Sequence, residues 1–140
     1  MIEGKTVCVV EDDEELGDLM KMRLEAAGCR VMMVNNGDEA LKVIPENKPD
    51  LVVLDVFLPD VDGLTVLRRL KAPFDIASGA PSVTKDIPVI MITGKAPMVE
   101  NLTRIAGASD FFVKPVQMQK LIDRVRGLLE PVQKDEKRKT

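Results

Sequence analysis

The chain has 140 residues, 45% of them hydrophobic, which suits one compact domain with a single core. A net charge of −3 and an isoelectric point near 5.1 leave no basic stripe, so direct nucleic-acid binding by this chain is not expected. Histidine is absent, which removes Ser-His and Cys-His nucleophile pairs and most zinc sites.

Lys5–Val10 is a short apolar run with β-branched residues and predicts a strand. Five consecutive acids follow, Glu11, Asp12, Asp13, Glu14 and Glu15. Leu16, Leu19, Met20, Leu24 and Ala27 then recur at helical spacing, with acids in the first turn, Lys21 and Arg23 later, and Gly28 as the stop. "CRVMMV" predicts a second strand, and "NNGDEALKVI" opens with a capping residue and gives a short helix. "DLVVLD", Asp50 to Asp55, is a third strand, followed by an "LPDVDG" loop and a helix over Leu64–Lys71 with Leu64, Leu67 and Leu70 on one side. Ala72–Lys85 is a long connection in which Pro73, Gly79 and Pro81 argue against a helix, and mobility is expected there. "IPVIMIT" is a fourth strand, and Ala96–Ala106 a weaker helix that begins around Pro97 and ends at Gly107. "DFFV" is a fifth strand. The last helix, "VQMQKLIDRVRGLLE", carries Met118, Leu121, Ile122, Val125, Leu128 and Leu129 on one face. Residues 131–140 form a polar tail expected to be disordered, leaving 1–130 as the single domain. Cys8 and Cys29 stand at no metal-ligand spacing and read as buried thiols of a reducing compartment. No signal peptide or bilayer-length apolar run is present, so a cytoplasmic location is expected.

Five alternating strand–helix units with near-continuous apolar strands predict an α/β fold, a doubly wound parallel sheet covered on both faces. Parallel strands share one carboxyl edge, where ligands bind at a topological switch point. Glu11, Asp12 and Asp13 follow the first strand, Asp55 ends the third, Thr93 the fourth, and Lys114 the fifth, before Pro115. If the strand order is 2-1-3-4-5, the first and third strands are central neighbours, and Asp12 faces Asp55 with Thr93 and Lys114 alongside. Converging carboxylates raise one another's pKa unless a cation joins them. An all-oxygen set favours a hard ion such as Mg²⁺, which keeps waters and takes phosphate oxygens. A hydroxyl and an ammonium suit the other side of a phosphoryl group, and Asp55 is the best nucleophile.

The stretches "VVEDDEEL", "DLVVLDVFLPDVDGLTVLRRLK", "IPVIMITG" and "AGASDFFVKPV" together resemble a response-regulator receiver domain of the two-component signalling family, of the single-domain, chemotaxis-regulator-like kind. The likeness runs from roughly Lys5 to Glu130. It implies a flavodoxin-like five-stranded sheet with five helices, and Asp55 as the phosphoacceptor. It implies Mg²⁺ held by Glu11, Asp12, Asp55 and the backbone carbonyl of Phe57. Thr93 and Lys114 would bind the phosphoryl oxygens, Lys114–Pro115 would be a cis peptide, and Phe111 would be an aromatic switch acting with Thr93. The implied phosphodonor is a histidine kinase or histidine phosphotransfer protein. The implied output is contact with a downstream protein through the fourth helix, fifth strand and fifth helix, including Lys95, Phe111 and Arg124, by a monomer or weak homodimer. Such a chain, lacking an output domain of its own unless it is a fragment of a longer regulator, has no enzymatic role beyond its own phosphorylation and dephosphorylation.

The bland readings make Asp13, Glu14 and Glu15 helix-start acids, Phe111 a core aromatic and Lys95 a solvated lysine. Among rival functions, a haloacid-dehalogenase-like phosphatase needs a second Asp two residues after the nucleophile, and Phe57 stands there. A flavin carrier needs a phosphate-wrapping first loop, which five acids would repel. A dinucleotide enzyme needs G-x-G-x-x-G after the first strand, and it is absent. A binding module that has lost phosphorylation is the remaining alternative, set against a complete set of expected site residues.

Overall fold

The computed structural model describes residues 2–94 and 98–130. Its elements alternate along the chain: β1 (Thr6–Val10), α1 (Glu14–Ala26), β2 (Arg30–Val34), α2 (Gly37–Asn47), β3 (Leu51–Asp55), α3 (Gly63–Lys71), β4 (Val89–Thr93), α4 (Met98–Ile105), β5 (Asp110–Val113) and α5 (Met118–Leu129). All pairings between these strands are parallel, in the order β2-β1-β3-β4-β5. The expected strand order and helix count are both found. Element ends differ from the sequence reading by up to two residues, except that α2 runs on to Asn47, three residues past the expected stretch; α5 starts two residues late, at Met118, after Pro115 and the turn that follows it. Lys95, Pro97 and the 131–140 tail lie outside the described residues.

The period of two along each strand sends alternate side chains to opposite faces. Val7, Val9, Leu51, Val53, Ile90 and Ile92 pack with Met20 and Leu24 of α1 and with Leu121 and Val125 of α5. Cys8, Val10, Val52, Leu54, Val89 and Met91 pack with Ala40 and Ile44 of α2 and with Val66, Leu67 and Leu70 of α3. Strands β3 and β4 are buried along their whole length. Each such aliphatic side chain contributes about 1.5–3 kcal/mol relative to exposure. Both cysteines are buried and unpaired, as expected. Burial, with Glu39 adding, pushes the Cys8 thiol up to about 12. Leu19, expected on the core stripe of the first helix, instead faces solvent, because the buried stripe is Gly17, Met20 and Leu24. No helix among the described residues is long and apolar enough to cross a membrane.

The connection after α3 has internal pairing that its proline and glycine content does not suggest. Phe74 and Pro81 form an antiparallel bridge, and the Asp75 and Ser82 amides donate to the Ala80 and Pro73 carbonyls at 2.8 and 3.0 Å. Asp75 accepts both the amide and the hydroxyl of Ser78, closing the turn. Thr84 is buried and donates its hydroxyl to the Leu70 carbonyl at 2.8 Å. The Lys71 ammonium donates to the carbonyls of Lys85 and Ile87, and burial lowers its pKa. The segment is therefore an exposed hairpin fastened at its base. Local pairing by Asp75 and Ser78, which the proline and glycine content obscures, explains the difference.

Candidate functional site

The carboxyl ends of β1, β3, β4 and β5 gather the predicted residues at one edge. The Glu11 amide donates to the Val34 carbonyl at 2.9 Å, which continues the β1–β2 pairing and turns the next residue out of the sheet. Asp13 caps α1, its side chain accepting from the Leu16 amide at 3.3 Å, and Glu14 and Glu15 fill the first turn. Three of the five crowded acids thus serve the helix start, where amides and dipole favour negative charge. Glu11 and Asp12 remain, and they meet Asp55. One carboxylate oxygen from each of these three lies within 4.8 Å of the other two.

Lys114 binds this group from the β5 side. Its ammonium lies 2.9 Å from Asp55 Oδ2 and 3.1 Å from Glu11 Oε1. Burial by itself would lower its pKa, but the bonds to Asp55 and Glu11 outweigh this and raise it. Glu11 is fully withdrawn from solvent. Burial, reinforced by neighbouring Asp55, pushes its carboxyl up to about 7, against the lowering by the Asp13 amide that it accepts at 3.0 Å. Glu11 Oε1 is close enough to Lys114 for an ion pair but has no aligned hydrogen-bond donor. A buried carboxylate oxygen without a donor is costly, and a cation or a proton would satisfy it. Asp12 is exposed while Glu11 and Asp55 are buried, so the cluster is closed on one side and open to water on the other. An all-oxygen, half-open set of this kind fits Mg²⁺, which dehydrates reluctantly and so keeps several waters beside one or two carboxylates.

The loop after β3 is shaped around Asp55. The Phe57 amide donates to Asp55 Oδ1 at 3.0 Å, so both oxygens of Asp55 have a donor. The Gly63 amide donates to the Val56 carbonyl at 2.6 Å, folding α3 back onto the strand end. A Cβ at Gly63 would stand 2.0 Å from the Asp55 carbonyl oxygen. Asp60 reaches across and accepts the Gly37 and Asp38 amides at 2.8 and 2.9 Å, capping α2 from a different element. These bonds hold the Asp60 carboxyl down at about 2. The roles of Asp60 and Gly63 were not drawn from the sequence. The Asp and Gly of "LPDVDG" are the signal, since such residues mark caps and close approaches as well as turns.

Thr93 is fully buried at the end of β4, one residue past Ile92, the register partner of Asp55. Its carbonyl accepts the Lys114 amide at 2.7 Å, so β4 and β5 present Thr93 and Lys114 together. The Lys114–Pro115 peptide is cis, as expected. Phe111 is buried opposite Met91 and shares a sheet face with Thr93 by strand parity.

The family model for the response regulator receiver domain matches residues 7–126. The chain belongs to this family. Among its relatives, the response regulator MprA of Mycobacterium sp. (strain KMS) is 34% identical over 131 residues, which is 93% of this chain and 53% of MprA. The phosphate regulon transcriptional regulatory protein PhoB of Pseudomonas aeruginosa is 33% identical over 90% of this chain and 52% of its own. A response regulator of known structure from Chloroflexus aurantiacus superimposes with a TM-score of 0.80 at 31% identity, covering 92% of this chain and all of that one. The receiver thus spans about half the length of the curated relatives it matches. Those relatives include transcriptional regulatory proteins, so the expectation of no direct nucleic-acid contact gains no support from them. Receivers of this family generally bind Mg²⁺, and the Glu11, Asp12 and Asp55 cluster suits that ion.

Proposed function

We propose that this receiver accepts a phosphoryl group on Asp55 from a histidine kinase or histidine phosphotransfer protein and converts that event into a change of surface for a protein partner. The observation that carries the reading is Asp55 itself: buried at the switch point of the sheet, one oxygen on the Lys114 ammonium, the other on the Phe57 amide, with two further carboxylates beside it. In the step, an Asp55 oxygen forms a bond to phosphorus as the bond from phosphorus to the donor's imidazole nitrogen breaks, and that nitrogen recovers its electron pair. Lys114 then turns its positive charge from the carboxylate to the phosphoryl oxygens, and the Thr93 hydroxyl donates to another of them. Glu11, Asp12, Asp55 and the Phe57 carbonyl would hold Mg²⁺, which when bound offsets the charge that three carboxylates and a phosphoryl group would otherwise pile together. Withdrawal of Thr93 toward the phosphoryl group opens space on the face it shares with Phe111, and the ring follows. The affected surface carries exposed Leu102 and Ile105 on α4 and Val113 on β5. Asp110 is already paired with Arg124 of α5 at 2.9 Å, so the strand and helix of this face are mechanically joined. We place output there, in the cytoplasm, with residues 1–130 as the receiver unit, a monomer or weak homodimer, and no chemistry of its own beyond gain and loss of the phosphoryl group.

The test is labelling by acetyl phosphate with Mg²⁺, read by intact mass. Wild type gains one phosphoryl group and Asp55→Asn gains none, because an amide is a poor nucleophile and a poor metal ligand. A phosphoryl adduct persisting in Asp55→Asn would overturn the assignment. Asp12→Ala should weaken Mg²⁺ binding while leaving Asp55 reactive but slow.

A further inference from the structure

The hairpin between α3 and β4 leaves an apolar cleft against α2. The cleft has a volume of about 370 Å³, and Leu41 and Pro45 of α2 face Ile76 and Val83 of the hairpin across it. Ile76 is 68% and Val83 55% exposed, though the hairpin has the internal hydrogen bonds to have buried them. Isolated exposed aliphatics are ordinary, but several around one concavity mark a binding groove. The helix α3 runs from the carboxyl edge of the sheet back to the amino edge, so the cleft lies at the opposite edge from Asp55.

The charges at the cleft indicate what fits it. Arg69 lines the cleft, and Arg68 is exposed beside it on α3. Neither guanidinium has a hydrogen bond or ion pair among the described residues. Asp75, the acid in the lining, is committed to Ser78 within the turn. We propose that this cleft docks a short acidic, apolar segment of a partner protein, with aliphatic or aromatic side chains between Ile76, Val83, Leu41 and Pro45, and a carboxylate on Arg69. Arg presents a planar fork that matches a carboxylate bidentately, and an unpaired one at an apolar rim has its donors available for it. A second copy of the chain fits less well. A two-fold contact centred on the cleft would bring the Arg68 and Arg69 pairs of both copies into one interface, and like charges across an interface repel. Such docking would be independent of the phosphorylation-sensitive face and would give the receiver a constitutive tether beside its switched one.

The experiment uses a fluorescein-labelled short peptide alternating glutamate with leucine and phenylalanine, and a control in which lysine replaces each glutamate, titrated with the full chain. Saturable anisotropy is expected for the glutamate peptide, weakening with salt. The lysine peptide should bind at least about tenfold more weakly. Arg69→Glu and Ile76→Asp, both at exposed positions and each checked for a retained fold by circular dichroism, should each lower affinity by about tenfold or more. Absence of saturation up to about 1 mM, equal binding of the two peptides, or undiminished binding by both variants overturns the proposal. A dimer seen by sedimentation that Ile76→Asp dissociates, with no peptide binding, overturns it in favour of a second copy.

Discussion

Phe57 contributes its amide to Asp55 while its side chain stays half exposed. Aspartyl phosphate is lost by in-line attack of water, and an apolar side chain two residues past Asp55 cannot orient that water as an amide or carboxylate would. Phe57→Asn should therefore speed loss of the phosphoryl group by about tenfold, equivalent to about 1.4 kcal/mol in the barrier. The decay is followed after removal of donor, and equal rates in the two proteins would release Phe57 from this role. Asp60 works at the same scale but on stability. Its folded pKa is about 2 against an ordinary 3.8. A depressed carboxylate contributes stability that is fully present above the unfolded value and is lost as pH falls through the folded one. Wild type should thus lose more of its urea midpoint between pH 3.8 and pH 2 than Asp60→Asn does. Parallel losses would show that the two amide bonds have little energetic weight.

The junction between β3 and α3 is built on a close backbone approach. A methyl group at Gly63 would meet the carbonyl oxygen of Asp55, a backbone atom with no rotamer by which to move aside. Gly63→Ala should destabilise the protein by about 3 kcal/mol, the upper part of the range for overpacking, and slow phosphoryl acceptance by shifting Asp55. Chemical denaturation measures the first effect, and a loss below about 1 kcal/mol would mean that α3 can retreat without cost. The same approach also explains why α2 starts where it does. A Cβ at Gly37 would stand 2.6 Å from the Val61 carbonyl oxygen, so the loop that carries Asp60 lies directly against the α2 terminus it caps.

At the scale of the molecule, stability is uneven. β3 and β4 are buried throughout, whereas the 73–83 hairpin is almost wholly exposed and held by its own bonds. Exposed backbone bonds open more readily than those of a packed sheet. Hydrogen exchange should therefore be slowest in β3 and β4 and fast in the hairpin amides of Asp75, Gly79 and Ser82, although these are bonded. Protection of the hairpin equal to that of β4 in the free protein would contradict this. The order of elements, the two-faced core and the positions of Glu11, Asp12, Asp55, Thr93 and Lys114 at strand ends were legible in the sequence. Strand alternation and helix spacing are local properties, and a parallel sheet sends every strand end to the same edge. Other features depended on residues distant in sequence and had no local signal. Leu19 faces solvent because the azimuth of α1 is set by packing against the sheet, not by its own spacing. Asp60 caps a helix that begins 23 positions earlier. Glu11 meets Lys114 across 103 residues because β1 and β5 end at the same edge, and its burial there leaves one oxygen without a hydrogen-bond donor. Sequence alone determined which chemistry could assemble, because residue type and periodicity are written locally. Which oxygen each donor reaches, and which acid serves a helix rather than the site, was decided by the tertiary structure, because hydrogen bonds depend on distances that only the assembled sheet defines.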